Sequence, residues 1–200
     1  MRTFFFALLL LAYSKLNAQE VERVPFVLRH AYFAIAGETN INNFSCRLVL
    51  QNLSDTLAIS GNWKGLSLDT KGLDFQLPTN EFDCGMKMMT KDFQKLLQSE
   101  KYPYIGLSID MLHLNDDYNL DSLYNVGSNA IIQIASQTQI ENIQNGYLRN
   151  YEGQFILGGS HKIKMTQYNI EPPSKFFGAV KAKEELYIEF EVIFEPVKPN

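Results

Sequence analysis

Beyond residue 30 the chain alternates hydrophobic and polar positions with a period of two. Phe44, Cys46, Leu48 and Leu50 fall on one face of an extended segment, and Ser45, Arg47, Val49 and Gln51 on the other. Successive side chains of a strand point to opposite faces, so this is a strand with one buried side. The pattern returns at Leu73, Phe75 and Leu77 against Asp74 and Gln76, and at Ile105, Leu107, Ile109 and Met111 against Gly106, Ser108 and Asp110. Ile132 and Ile134 continue it more weakly. It is cleanest where Leu186, Ile188, Phe190, Val192 and Phe194 oppose Glu189, Glu191 and Glu195. Turn-forming residues separate the runs: Asn40 to Asn43, Gly61-Asn62, Gly158-Gly159-Ser160 and Glu171-Pro172-Pro173. A series of short strands punctuated this way predicts an antiparallel sandwich or barrel.

One segment departs from the period of two. From Met86 to Leu97 the apolar residues Met89, Phe93, Leu96 and Leu97 recur at helical spacing. Asp83 is placed to cap the start, and Pro103 blocks continuation. The spacing predicts one helix of about three turns near residues 86–98 in an otherwise all-β chain.

Composition narrows the function. The 200 residues are 46% hydrophobic and 20% charged, without repeats or long linkers, which suits one domain. Lys and Arg total 18 against 22 Asp and Glu, so the basic footprint that phosphate backbones require is missing and nucleic acid is not an expected partner. Residues 1–18 read as a signal peptide: a charged start, the apolar run Phe4 to Ala12, and a small residue, Ala18, ahead of Gln19. The run is shorter than the roughly 20 residues that span a bilayer, and no Cys stands near the cut to take a lipid. The expectation is a mature domain of residues 19–200 without a stable membrane anchor, exported to the periplasm or cell surface of a bacterium. Cys46 and Cys84 are the two cysteines. In an oxidising compartment a single disulfide is the simple reading, with two buried free thiols the alternative.

Little in the chain points to catalysis. His30, His113 and His161 lack metal-ligand spacing, and no G-x-S-x-G elbow is present. Gly158-Gly159-Ser160-His161 reads as a hairpin turn rather than a nucleophile beside its base. Asp116-Asp117 and Glu184-Glu185 lie in polar stretches. Met86, Met88 and Met89 near Cys84 suit helix packing better than a soft copper site. Trp63 reads as packing against the sheet more than stacking on a sugar. Asp55-Thr56-Leu57 and Asp121-Ser122-Leu123 match a short O-glycan acceptor pattern. No enzyme, metal or resident cofactor is expected. If about eight strands close into a barrel, their apolar face lines the interior and leaves room for one small or elongated guest. A barrel packed solid is the alternative. The interior candidates are Phe44, Leu48, Phe75, Leu77, Phe93, Ile105, Leu107, Ile109, Ile188 and Phe190.

Several landmarks together carry a resemblance. Gly37-Glu38-Thr39-Asn40-Ile41-Asn42-Asn43-Phe44-Ser45-Cys46 is similar to a "G-x-T-N-V-N-S-F-x-C" opening pair of strands. Leu77-Pro78-Thr79-Asn80-Glu81-Phe82-Asp83-Cys84-Gly85-Met86-Lys87-Met88-Met89, then Asp92-Phe93, is similar to "V-P-V-x-x-F-D-C-G-N-K-x-M-x-x-D-F", and Lys101-Tyr102-Pro103-Tyr104-Ile105 to "K-Y-P-x-I". Glu152 to Lys162 matches a late "x-G-x-L-T-L-x-G-x-T-K" hairpin, and Ile170-Glu171-Pro172-Pro173, Gly178 and Val180-Lys181 match "I-x-P-P-x-x-x-G-x-V-K". Met86 and His161 stand where that pattern has Asn and Thr. The chain thus resembles the YceI-like proteins of a Bacteroidetes-type branch, exported lipocalin-like barrels associated with polyisoprenoid and other amphiphilic lipids. The resemblance implies a binding protein without catalytic residues, whose guest is an isoprenoid, quinone or fatty amphiphile. The rival is a packed barrel serving as an envelope structural or protein-interaction module.

Overall fold

The first strand organises the others. The computed structural model describes residues 23–51, 53, 56–62, 67–114 and 123–197. In it β1 (Arg23–Thr39) is bonded along both sides, and its run from Ala31 to Gly37 is apolar at all but one position. On one side it pairs antiparallel with β10 (Val180–Pro196). On the other, β2 (Asn43–Gln51) takes its C-terminal half and β3 (Thr56–Asn62) its N-terminal half. The ring continues through β4 (Ser67–Pro78), β5 (Tyr104–Leu114), β6 (Leu123–Ile134), β7 (Gln137–Tyr151) and β8 (Gln154–Lys164) to β10. Because β2 and β3 share one place, the wall has eight positions: of the sandwich or barrel that the alternation allows it is the barrel, with the lipocalin-like form that the resemblance implies. A two-residue β9 (Ser174–Lys175) pairs with the start of β10.

The inward faces form one core in which Phe33, Leu48, Leu73, Ile163 and Val192 are at most 2% exposed. The alternation is right for β2, β4 and β10 but changes phase in β5. Ile105 and Ile109 are buried, whereas Met111, expected on the same face, is exposed and Leu112 and Leu114 are buried instead. The cause is a β-bulge, in which Asp110 and Met111 together oppose Asn129 of β6. Buried hydroxyls satisfy the disturbed carbonyls: Thr70 donates to Ile109 O at 2.6 Å and Ser128 to Met111 O at 2.9 Å.

Gly158-Gly159-Ser160, expected to form a turn, instead lies within β8. The turn is at Glu152-Gly153, both with positive φ (51° and 84°), as a two-residue hairpin loop requires. Gly158 is small because the Tyr147 ring of the neighbouring strand crosses it; a Cβ there would stand 2.4 Å from Tyr147 Cζ. Tyr147 then donates to Glu191 Oε2 at 2.8 Å, linking β7 to β10 over β8.

The predicted helix is α1 (Lys87–Leu96), which presents Met89, Phe93 and Leu96 to one end of the barrel. Asp83 does not cap it. Gly85, at φ 79°, turns the chain between them, so the Asp83 carboxylate accepts from the Gly85 N–H at 2.9 Å, and the residue at the cap is Met86. Cys46 and Cys84 are bonded. The bond lies where β2 and β4 are not paired with each other. There Arg47 and Asp83 exchange backbone hydrogen bonds at 2.8 Å, so residues 79–84 close that part of the wall. Residues 1–22, Trp63 and Asp116-Asp117 lie outside the described residues, as do Asp55 and Asp121-Ser122 of the acceptor patterns. Among the described residues no helix is long and apolar enough to cross a membrane.

Candidate functional site

Two small apolar cavities lie along the barrel interior. The deeper, of about 40 Å³, is lined among others by Phe33, Leu77, Phe82, Ile109, Ile143 and Phe190. The second, of about 50 Å³, lies under α1 between Phe44, Phe93, Leu97, Met165, Tyr168 and Leu186. Ile35, Ile105 and Ile134 line both, so the two follow one another along a single apolar column. Of the expected interior residues, Leu77, Ile105, Leu107, Ile109, Ile188 and Phe190 line the deeper cavity and Phe44, Phe93 and Ile105 the outer one. Leu48 and Phe75 are core residues that line neither.

The wall parts between β7 and β8 near the outer cavity. These strands pair from Tyr151 opposite Gln154 to Asn145 opposite Ser160; residues 137–143 pair with β6 alone. Side chains bridge the seam. Glu141 points inward from β7, 8% exposed, and its two oxygens are both engaged: Tyr168 donates to Oε1 at 3.1 Å, and His161 Nε2 on β8 lies 3.0 Å from Oε2. Tyr168 comes from a 3-10 turn, Met165–Tyr168, that fills the seam, and Gln139 secures the turn by donating to Gln167 O at 2.9 Å. Burial, with the Glu141 carboxylate adding to it, pushes the Tyr168 hydroxyl well above its ordinary range, so it remains a hydrogen-bond donor. Sequence reading misses this cluster, because an isolated Glu beside an isoleucine reads as solvent-facing. The signal lies in parity: Glu141 shares its face with buried Ile143, and Ile140 is 75% exposed.

The other candidate chemistry is dispersed. Cys84 is spent in the disulfide, Met86 and Met88 are exposed, and Met89 packs on the core. No group of three or more His, Cys, Asp or Glu is arranged to hold a metal among the described residues. A larger hollow, about 920 Å³, is a groove outside the barrel, and its lining of Glu81, Lys91, Lys95, Glu100 and Lys101 does not suit an apolar guest.

A nearly closed barrel with an apolar column and one helix across its end defines a lipocalin-like architecture, of the kind that can enclose a small ligand. Neither a protein-family model nor a curated protein matches the sequence. Among solved structures, a polyisoprenoid binding domain from Saccharophagus degradans implicated in plant cell wall breakdown superposes with a TM-score of 0.60 at 10% identity, over 87% of this chain and 99% of that one. BcnA of Burkholderia cenocepacia (TM-score 0.48, 12% identity, 82% of this chain and 95% of that one) and the YCEI protein of Campylobacter jejuni (0.49, 11%, 81% and 85%) are also similar. At such identities the likeness is one of fold.

Proposed function

We propose that the protein is an exported, non-catalytic binding protein that holds an elongated apolar amphiphile, with an isoprenoid, quinone or fatty chain, along the barrel axis. The apolar column joined through Ile35, Ile105 and Ile134 carries this reading. Established ligand pockets usually measure ~300–1,000 Å³, so a guest enters only as lining side chains rotate outward and the cavities merge. Phe44, Phe93, Leu77, Leu107, Ile109, Ile188 and Phe190 are the contacts we assign to it, with Leu48 and Phe75 supporting them from the surrounding core. The smallness of the cavities favours, as a second reading, a packed barrel acting as an envelope structural or protein-interaction module.

Organic extraction and mass spectrometry of protein purified from its host separates the two. The expected result is a stoichiometric amphiphile in the native protein and its loss from Ile105→Phe, which fills the junction of the cavities at a stability cost of about 1–3 kcal/mol. Native protein that yields no amphiphile would favour the packed module. The disulfide and the candidate signal peptide support export. N-terminal sequencing of the exported form should begin at Gln19; retention of Met1 would contradict the assignment.

A further inference from the structure

Outside the plugged end of the barrel, two phenylalanines stand in solvent without a structural reason. Phe176 and Phe177, between β9 and β10, are 78% and 113% exposed, and both have left-handed backbone angles, φ 52° and 55°. Large side chains rarely adopt that region, and strain of this kind is kept where the surroundings or a function require it. Neither ring contributes to the core.

The turn is tied on both sides to elements that carry further exposed apolar residues. Asn40 donates to Ala179 O at 2.9 Å and accepts from the Lys181 N–H at 2.9 Å; the next residue, Ile41, is 67% exposed. Lys175 Nζ reaches Asp92 of α1 at 2.9 Å, and Met88, one helical turn earlier on the same face, is 77% exposed. Around this apolar ridge stand exposed Lys87, Lys91, Lys175 and Lys181, in a chain whose net charge is −4. The acids of the same segments are Asp92, paired with Lys175, Glu38, paired with Lys183, and Glu171.

We propose that this tip docks the protein reversibly on a bilayer that carries anionic lipid. Phe176 and Phe177 enter the boundary between headgroups and acyl chains, flanked by Ile41 and Met88, while Lys87, Lys91 and Lys181 meet the anionic headgroups and Lys175 neutralises Asp92 beside them. Projecting aromatics ringed by cations suit a soft, negatively charged surface better than a flat protein face. Ile170, Pro173 and Leu186, which flank the tip in sequence, line the outer cavity, so docking brings the end of the apolar column to the membrane. The docking itself does not depend on a guest being bound.

The test is co-sedimentation of the natively processed protein with vesicles of phosphatidylcholine alone or mixed with phosphatidylglycerol. Binding is expected on the mixed vesicles and should weaken as salt is added. The Phe176→Ser/Phe177→Ser double variant should bind at least about tenfold more weakly, with an unchanged melting temperature because both rings lie outside the core. Lys175→Gln and Lys181→Gln should each lower binding to the mixed vesicles about fivefold and leave the weak binding to neutral ones unaltered. Native protein that ignores mixed vesicles, or a serine variant that binds as well as the native protein, overturns the proposal. So does a native dimer that the serine pair converts to a monomer without any vesicle binding, since the ridge would then be a contact between copies of the chain.

Discussion

Replacing Cys46 and Cys84 together by alanine is expected to lower stability by about 4 kcal/mol, the chain-entropy value for a loop whose ends lie 38 residues apart. For a domain of this size that corresponds to a fall in Tm of roughly 10 °C, a large share of the usual margin of about 5–15 kcal/mol. Urea denaturation of the oxidised protein and of the double variant measures it. The position of the bond raises its importance, because it joins β2 to residues 79–84 where β2 and β4 have no ladder between them. Loss of the bond should therefore accelerate amide exchange first at Arg47 and Asp83, whose mutual hydrogen bonds close this part of the wall. Equal denaturation midpoints would mean that those hydrogen bonds and the packing of Phe82 suffice.

Glu141→Ala should have a comparable effect, about 2–6 kcal/mol. The carboxylate serves His161 and Tyr168 together, so its removal strands two polar groups in a largely apolar setting, at about 1–3 kcal/mol each. Glu141→Gln, which keeps the shape and one acceptor, should lose roughly half as much. The same site predicts an alkaline limit. Tyr168 has a folded pKa above its unfolded value of about 10. Above that pH the unfolded chain releases a proton that the native state retains, so the contribution is complete below about pH 10 and declines as the pH rises beyond it. Tyr168→Phe should flatten that decline in thermal melts taken above pH 10. An unaltered alkaline profile in Tyr168→Phe would place the limit elsewhere, and a stable Glu141→Ala would mean that water replaces the carboxylate.

Most of the barrel is legible in the sequence because a wall with one dry side imposes a period of two, and Leu73, Phe75 and Leu77 or Phe190, Val192 and Phe194 obey it without interruption. Reading fails where the backbone breaks the period for local reasons. The bulge at Asp110 and Met111 leaves no compositional mark, so the phase change in β5 shows only in the opposing strand. Gly158 and Gly159 signal a turn when considered alone, yet their role is to admit the Tyr147 ring and a close approach of Asn145 and Phe190. Asp83 has the right chemistry for a cap and the wrong direction of chain. Alternation points to most of the interior candidates but not to Phe33 and Ile35, since the outward positions of β1 between them and beside them, Tyr32, Ala34 and Ala36, are themselves apolar or aromatic and leave no polar face to mark the inner one. Glu141 is marked in the sequence only by its parity with Ile143, and its pairing with Tyr168 becomes recognisable once the two distant segments meet.

Pairing of the first strand with the last has a consequence for how the molecule is made. Before β10 is in place, β1 and β8 each present an open row of amide and carbonyl groups beside an apolar face, which is the arrangement most prone to pair with another chain. The contacts that remove this hazard join residues 26–39 to residues 182–196, so they span almost the whole described length and form slowly. A chain that becomes available residue by residue therefore holds an open sheet until residues 182–196 follow, and the period of greatest vulnerability ends with closure of the β1–β10 ladder.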